Sequence, residues 1–261
     1  MKFVLGVHRK SSNDAVRGDL GRYPLFICIF KQQLKYYRHL LDSNSDSLIY
    51  NALQASKELP NSCNTWLKHI HDVLRITGIR DLGQSRDDFL PSDIWISTVI
   101  KKLKERYTSY WEKTINNNDG KLRTYKLFKN RFCMENYLSS RSCIRDLESR
   151  KCLSRLRISA HNLEIERGRY TRPITPIENR ICNLCKLETG DEIHFLIKCK
   201  KLDKVRKPYI SSIVSLNPNF NNLDCENKFI YCMVAEDDIA LITGKLTKSL
   251  NNERDKLLVI T

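Results

Sequence analysis

The chain has 261 residues, 45 of them Lys or Arg and 30 Asp or Glu, for a formal charge of +15 with 41% apolar and 29% charged side chains. Such a composition can build a core, and it excludes collagen, a pure linker and wholesale disorder. No run approaches the roughly 18 uninterrupted apolar residues of a membrane span, and Phe3-Val4-Leu5-Gly6-Val7 is too short for a signal-peptide core. A soluble, intracellular protein with no membrane partner is therefore expected, in nucleus or cytoplasm. The ten cysteines are expected to be reduced, a few of them on metal and the others packed in apolar surroundings.

Over residues 24–41, Ile27, Phe30, Leu34, Tyr37 and Leu41 recur at helical spacing, with Pro24 suited to the first helical position. Residues 47–59, with Leu48, Ile49, Ala52 and Leu53, predict a second helix. Ser62 can cap a third, whose stripe of Trp66, Ile70, Val73 and Leu74 ends at Gly78. Ser92 opens the clearest helix, with Ile96, Val99, Ile100, Leu103, Tyr107, Tyr110 and Trp111 on one face; Lys101, Lys102, Glu105 and Arg106 turn away, and Asn116-Asn117-Asn118-Asp119-Gly120 stops it. Residues 122–138 and 143–156 predict two more helices. Two prolines and no apolar period mark residues 173–182 as a boundary. Beyond residue 208, Phe229, Ile230, Cys232 and Met233, then residues 239–250, predict two short helices after a polar loop at 217–222.

The charge excess is confined to two stretches. Residues 101–133 hold 10 basic and 3 acidic side chains, and residues 150–207 hold 15 and 7. Clustered cations suit a polyanion, because neutralising phosphates releases counterions. Basic side chains are also ordinary on a solvated helix face.

The most informative stretch is Cys182-Asn183-Leu184-Cys185, with His194 and Cys199 downstream. Two thiolates separated by two residues can share an ion at a tight turn, and a His and a Cys five apart can converge on it from the end of a short helix. This donor set suits tetrahedral zinc in a closed, structural site that leaves no position for a reacting water. The bland alternative is a group of buried cysteines with His194 beside them by chance. A thioredoxin-like use of the Cys-x-x-Cys pair lacks the surrounding βαβ pattern. His161 could replace His194, but it is more distant in sequence. The expected fold class is thus mainly α, a helical bundle with a small zinc-stabilised module near the C-terminus. Residues 1–172 form the basic helical region, 173–207 the module and 208–261 a helical tail.

Two further stretches carry a resemblance. Phe3-Val4-Leu5-Gly6-Val7-His8-Arg9-Lys10-Ser11-Ser12-Asn13, followed by Gly18-Asp19-Leu20-Gly21-Arg22-Tyr23-Pro24-Leu25, resembles the region just after the polymerase core of jockey-like non-LTR retrotransposon reverse transcriptases. Leu156-Arg157-Ile158-Ser159-Ala160-His161-Asn162-Leu163-Glu164-Ile165-Glu166-Arg167-Gly168-Arg169-Tyr170, then Asp191-Glu192-Ile193-His194-Phe195-Leu196, resembles the C-terminal part of the same polyproteins. The resemblance implies that Cys182, Cys185, His194 and Cys199 correspond to the family's CCHC motif. It also implies that residues 1–172 are thumb-like or post-thumb-like, and that RNA or DNA and the polymerase portion of a parent polyprotein are partners.

The family's catalytic carboxylates are missing, since no Tyr/Phe-x-Asp-Asp occurs here. Arg86-Asp87-Asp88 and Glu236-Asp237-Asp238 are paired acids beside helical patterns, where acids are favoured near an N-terminus. Glu226-Asn227-Lys228 matches only the last element of a restriction-like nuclease site, without a preceding Pro-Asp. His8, His69 and His71 have no nucleophile motif nearby, and Gly18-Asp19-Leu20-Gly21 lacks the lysine of a phosphate loop. The expectation is a non-enzymatic nucleic-acid-binding region. One basic band comprises Lys101, Lys102, Lys104, Arg106, Lys121, Arg123, Lys126, Lys129 and Arg131; a second comprises Arg155, Arg157, Arg167, Arg169 and Arg172. The competing expectations are a helical protein-interaction scaffold and a decayed element without a selected activity.

Overall fold

A computed structural model describes residues 1–59, 65–79, 91–117 and 120–260. Within them the chain is mainly helical, with no strand and a single isolated antiparallel bridge between Ile181 and Thr189. In chain order the helices are α1 (Lys2–Leu5), α2 (Asn13–Leu20), α3 (Leu25–Leu41), α4 (Leu48–Glu58), α5 (Trp66–Thr77), α6 (Ser92–Asn116), α7 (Tyr125–Phe128), α8 (Asn136–Ser139), α9 (Arg141–Arg145), α10 (Leu147–Arg157), α11 (Glu164–Arg167), α12 (Asp203–Leu216), α13 (Cys225–Val234) and α14 (Asp237–Ile260). No helix among the described residues is long and apolar enough to cross a membrane.

The chain divides into two compact units, one of Met1–Arg22 with Trp111–Thr261 and the other of Tyr23–Tyr110. In the second unit, α3 packs on α4 and α5, burying Ile27, Leu34, Tyr37 and Leu40, so that Leu40 rather than Leu41 completes the stripe. Pro24 is the residue before the helix, not its first. On α4 only Leu53 is buried; Leu48 and Ile49 face solvent. Helix α5 is capped by the Thr65 hydroxyl, which accepts from Lys68 N at 3.2 Å, and Gly78 ends it at φ 65°, where a side chain would be strained. The expected cap Ser62, together with Cys63, Arg86-Asp87-Asp88 and Asn118-Asp119, lies outside the described residues.

The first unit is organised by α14, which packs along α10 and α12. Gly244 makes the α10 crossing close: a Cβ there would stand 2.9 Å from the Ser149 carbonyl oxygen. Thr243 and Thr247 bury their hydroxyls by donating to carbonyls one turn back, each at 2.8 Å. Two expectations for this unit need correction. Residues 122–138 are not one helix but the short α7 and α8 joined by irregular chain, because Lys129 and Glu135 turn inward to pair with each other. In the tail, α13 is the short helix expected around Phe229 to Met233, but the second is not short, since α14 runs for 24 residues, and α12 adds a helix before the polar loop.

Candidate metal centre

The site is built on two local structures. The first is a tight loop at Cys182 to Glu188, closed where Cys182 N donates to Glu188 O at 2.8 Å and Gly190 N donates to Arg180 O at 2.9 Å. Lys186 N returns to Cys182 O at 3.0 Å, with Lys186 at φ 59°, so the two cysteines stand at the tip of the turn. Gly190 lets its base pack closely, because a Cβ there would come within 2.3 Å of Glu164 Oε2 and 3.1 Å of the Cys182 Cα.

The second is a turn opened by Asp191, whose carboxylate accepts from His194 N at 2.7 Å. His194–Lys198 is π-helical, and Cys199 N donates to His194 O at 2.8 Å. This detail decides the geometry. At 3.6 residues per turn, side chains five apart point about 140° away from each other. The wider π turn brings His194 and Cys199 to one side. Its carbonyls are met by the buried Arg206, which donates to Leu196 O at 2.8 Å and Cys199 O at 2.9 Å.

These two turns bring the ligand atoms of Cys182, Cys185, His194 and Cys199 within 4.8 Å of one another, a group that could hold a metal ion. Cys182 Sγ is 3.9 Å from Cys199 Sγ, and Cys185 Sγ is 3.2 Å from His194 Nε2. The other ring nitrogen, Nδ1, faces Glu188 Oε2 at 3.4 Å. The Cys199 thiol and the His194 imidazole hold the Cys182 thiol far below its ordinary range, while its proximity pushes Cys199 up. Burial alone would lower His194, but the neighbouring thiolates outweigh it and raise it to about 9.

Glu192, in the same turn as Asp191 and His194, is fully buried, accepts from Ser159 Oγ at 2.9 Å, faces His161 Nε2 at 2.9 Å and pairs with Arg123. Burial pushes this carboxyl up, yet His161 and Arg123 outweigh it and hold it at about 2. His161 is therefore the partner of an anchoring carboxylate and not an alternative ligand. Glu166 pairs with Arg169 at 3.0 Å beside this group. The Gly18-Asp19-Leu20-Gly21 motif has an equally internal role. Asp19 is fully buried and accepts from Arg157 Nε at 3.0 Å, Tyr125 OH at 3.0 Å and Tyr137 OH at 2.9 Å. Gly18 gives way to Trp111, which a Cβ would approach to 2.6 Å.

The expected basic bands separate accordingly. Lys101, Lys102, Lys104 and Arg106 are exposed on α6, and Arg131, Arg155, Arg167 and Arg172 are exposed elsewhere. Lys121 and Lys126 are half-buried. Four members are corrected. Arg157 is sequestered by Asp19 and Glu135, and Lys129 by Glu135; Arg123 and Arg169 are engaged by Glu192 and Glu166. An arginine with no exposed surface cannot reach a phosphate in solution, and leaving its carboxylate partner would strand a buried charge. Lys198, Lys200, Lys201, Lys204 and Lys207 belong to neither expected band, yet all are exposed directly beside or after the last ligand. Their density around Cys199 is the signal by which the sequence could have disclosed them.

Of the remaining candidates, Glu226 and Lys228 lie on α13, capped by Asp224, which accepts from Asn227 N at 2.7 Å. Asp237 and Asp238 occupy the first turn of α14. Cys143 and Cys232 are buried as expected, but Cys28, Cys133 and Cys225 are exposed and do not pack. No protein-family model, no curated protein and no solved structure matches this chain.

Proposed function

We propose that this chain is a non-enzymatic, zinc-stabilised nucleic-acid-binding region of the kind that follows the polymerase core in jockey-like non-LTR retrotransposon reverse transcriptases. The observation that carries the reading is the convergence of Cys182, Cys185, His194 and Cys199, with exposed lysines immediately after them. Tetrahedral zinc with bonds of about 2.3 Å to sulfur and about 2.0 Å to nitrogen needs ligand separations of about 3.8 Å and about 3.5 Å. The Cys182–Cys199 and Cys185–His194 separations of 3.9 Å and 3.2 Å lie close to these, and all the ligand atoms stand within 4.8 Å of one another. His194 presents Nε2 to the cluster and Nδ1 to Glu188, the orientation in which a carboxylate fixes the tautomer of a ligating histidine. Zinc supplies structural closure there, since four protein ligands fill its coordination.

Binding is through phosphates, by Lys101, Lys102, Lys104 and Arg106 on α6 and by the lysines around Cys199, and so tolerates sequence. Anisotropy titrations of a labelled single-stranded RNA and a DNA duplex at several ionic strengths test this. Affinity should fall steeply with salt, and replacing Lys101, Lys102, Lys104 and Arg106 together by Ala should flatten the slope by about one unit for each phosphate no longer neutralised. An unchanged slope returns that band to the ordinary solvated face. One observation favours a protein-docking role instead: Leu25, Phe26, Ile29 and Tyr36 of α3 are all exposed. A chain that binds neither nucleic acid at low salt would favour that role.

A further inference from the structure

We propose that the polar cleft bounded by the turn at residues 6–8, α10 and α14 seats a nucleotide phosphate; this assigns one strand-binding point and rests on the nucleic-acid reading above. The cleft measures about 740 Å³, within the roughly 300–1,000 Å³ of small-ligand sites. Val7, Leu156, Ala160, Leu163 and Phe195 contribute apolar walls, and most of the other lining side chains are polar.

Several of the lining groups are already committed within the protein. Arg254 is held by Glu164 at 2.7 Å, and His161 by Glu192 at 2.9 Å. Of the two acids, Glu148 is held by Lys151 at 2.7 Å, and Asp255 lies 4.0 Å from Arg254 Nη1. Three donors are left over. Arg155 uses only Nε, bonded to the Gly6 carbonyl at 2.7 Å, which fixes the guanidinium and leaves its Nη pair for a ligand. His8 accepts from Lys10 N through Nδ1 at 3.2 Å, which assigns the proton of the neutral ring to Nε2. Lys248 makes no direct hydrogen bond or ion pair among the described residues, though its charge is felt by Asp146 and Glu148, and the Asn251 and Asn252 side chains line the same cleft from α14.

The uncommitted chemistry is therefore donor-rich and cationic. A forked guanidinium, an ammonium and an imidazole N–H match the several acceptor oxygens of a phosphate monoester or diester. A carboxylate ligand would use fewer of them. The same phosphate chemistry could come from a free nucleotide or from the backbone of a strand, and the two are separated by the probe.

The test titrates the 261-residue chain, loaded with zinc, with AMP and with a short fluorescein-labelled single-stranded RNA. It compares the unaltered protein with Lys248→Glu and Lys248→Gln, whose site carries no structural bond. Lys248→Glu should weaken RNA binding by roughly tenfold and Lys248→Gln by less, as expected for a charge-assisted interaction. AMP should compete with the RNA and lose affinity in the same order. RNA binding that is unmoved by either variant, while the α6 substitutions weaken it, overturns the cleft and leaves the general reading standing. AMP binding that depends on Lys248 without any RNA binding keeps the cleft as a nucleotide site and removes the strand reading. Binding of neither probe overturns the cleft. Circular dichroism of each variant checks that the helices are intact.

Discussion

Around Asp19 the first unit buries charge beneath aromatic rings, whereas around Cys182 it gathers thiols and an imidazole at the tips of two turns. In the first region Arg157 lies over the Phe128 and Tyr137 rings at 4.7 and 5.0 Å, and its carboxylate partner is 138 residues away in sequence. Trp111, Tyr125, Tyr137 and Phe229 are fully or almost fully buried nearby in the same unit. The second region has little apolar cover of its own beyond Phe195, Leu196 and Leu202. Stability therefore has a different source in each. An apolar core can hold itself together and can tolerate a hydrogen-bonded ion pair, while a short irregular loop needs an external crosslink.

Removing the proposed zinc is the largest expected perturbation. A structural zinc is worth about 10–16 kcal/mol in small zinc-finger peptides, so the loop should not persist without it. Elemental analysis should find about one zinc per chain, and less after Cys182→Ser or Cys199→Ser. Chelation should abolish amide protection from residue 180 to residue 200 while most of the far-UV helical signal remains. Loss of the entire helical signal would show that the helical body depends on the crosslink as well. Zinc content unchanged by both substitutions would remove the assignment.

Next in size is the buried ion pair. Arg157→Leu leaves the buried Asp19 carboxylate without a cationic partner and should cost about 3–5 kcal/mol in denaturant unfolding, whereas Asp19→Leu leaves Arg157 its second partner, Glu135, and should cost less. The double substitution should recover part of that loss, since neither charge is then left unpaired. Zinc content should be unchanged throughout. Single-variant losses below about 1 kcal/mol would show that the site relaxes or admits water.

Helical periodicity disclosed α3, α5 and α6 because each carries one wide apolar stripe, and the ligand set was legible because its residue types and spacing are compact. What stayed hidden depends on long-range pairing. Nothing local to Arg157 or Lys129 distinguishes them from surface cations, as their carboxylates stand far off in sequence or across an irregular turn. The π turn that aligns His194 with Cys199 has no periodic signature either. The stretches that carry the family resemblance read mainly as internal joints in the structure: Asp19 with Arg157, Ser159 and His161 with Glu192, and Glu164 with Arg254. Their residue types alone suggested surface chemistry for several of them.

The smallest expected effect concerns the joint between the two regions. Glu192→Gln keeps the shape of the side chain and removes its charge beside Arg123 and His161. With the carboxyl held at about 2 against an ordinary 4.5, its ionised form contributes about 3 kcal/mol to folding. A folded-state value below the unfolded one means that the contribution is complete above the ordinary carboxylate range and is lost as pH falls from 4.5 towards 2. The stability gap between the two proteins should therefore be constant near neutrality and close on acidification. Acid also protonates the metal ligands, but it does so in both proteins and drops out of the difference. A gap that widens in acid, or that is absent at neutral pH, would mean that Glu192 fills space without anchoring charge, and the joint would then rest on contacts such as the Ile165 N to Gly190 O hydrogen bond and the Arg254–Glu164 pair.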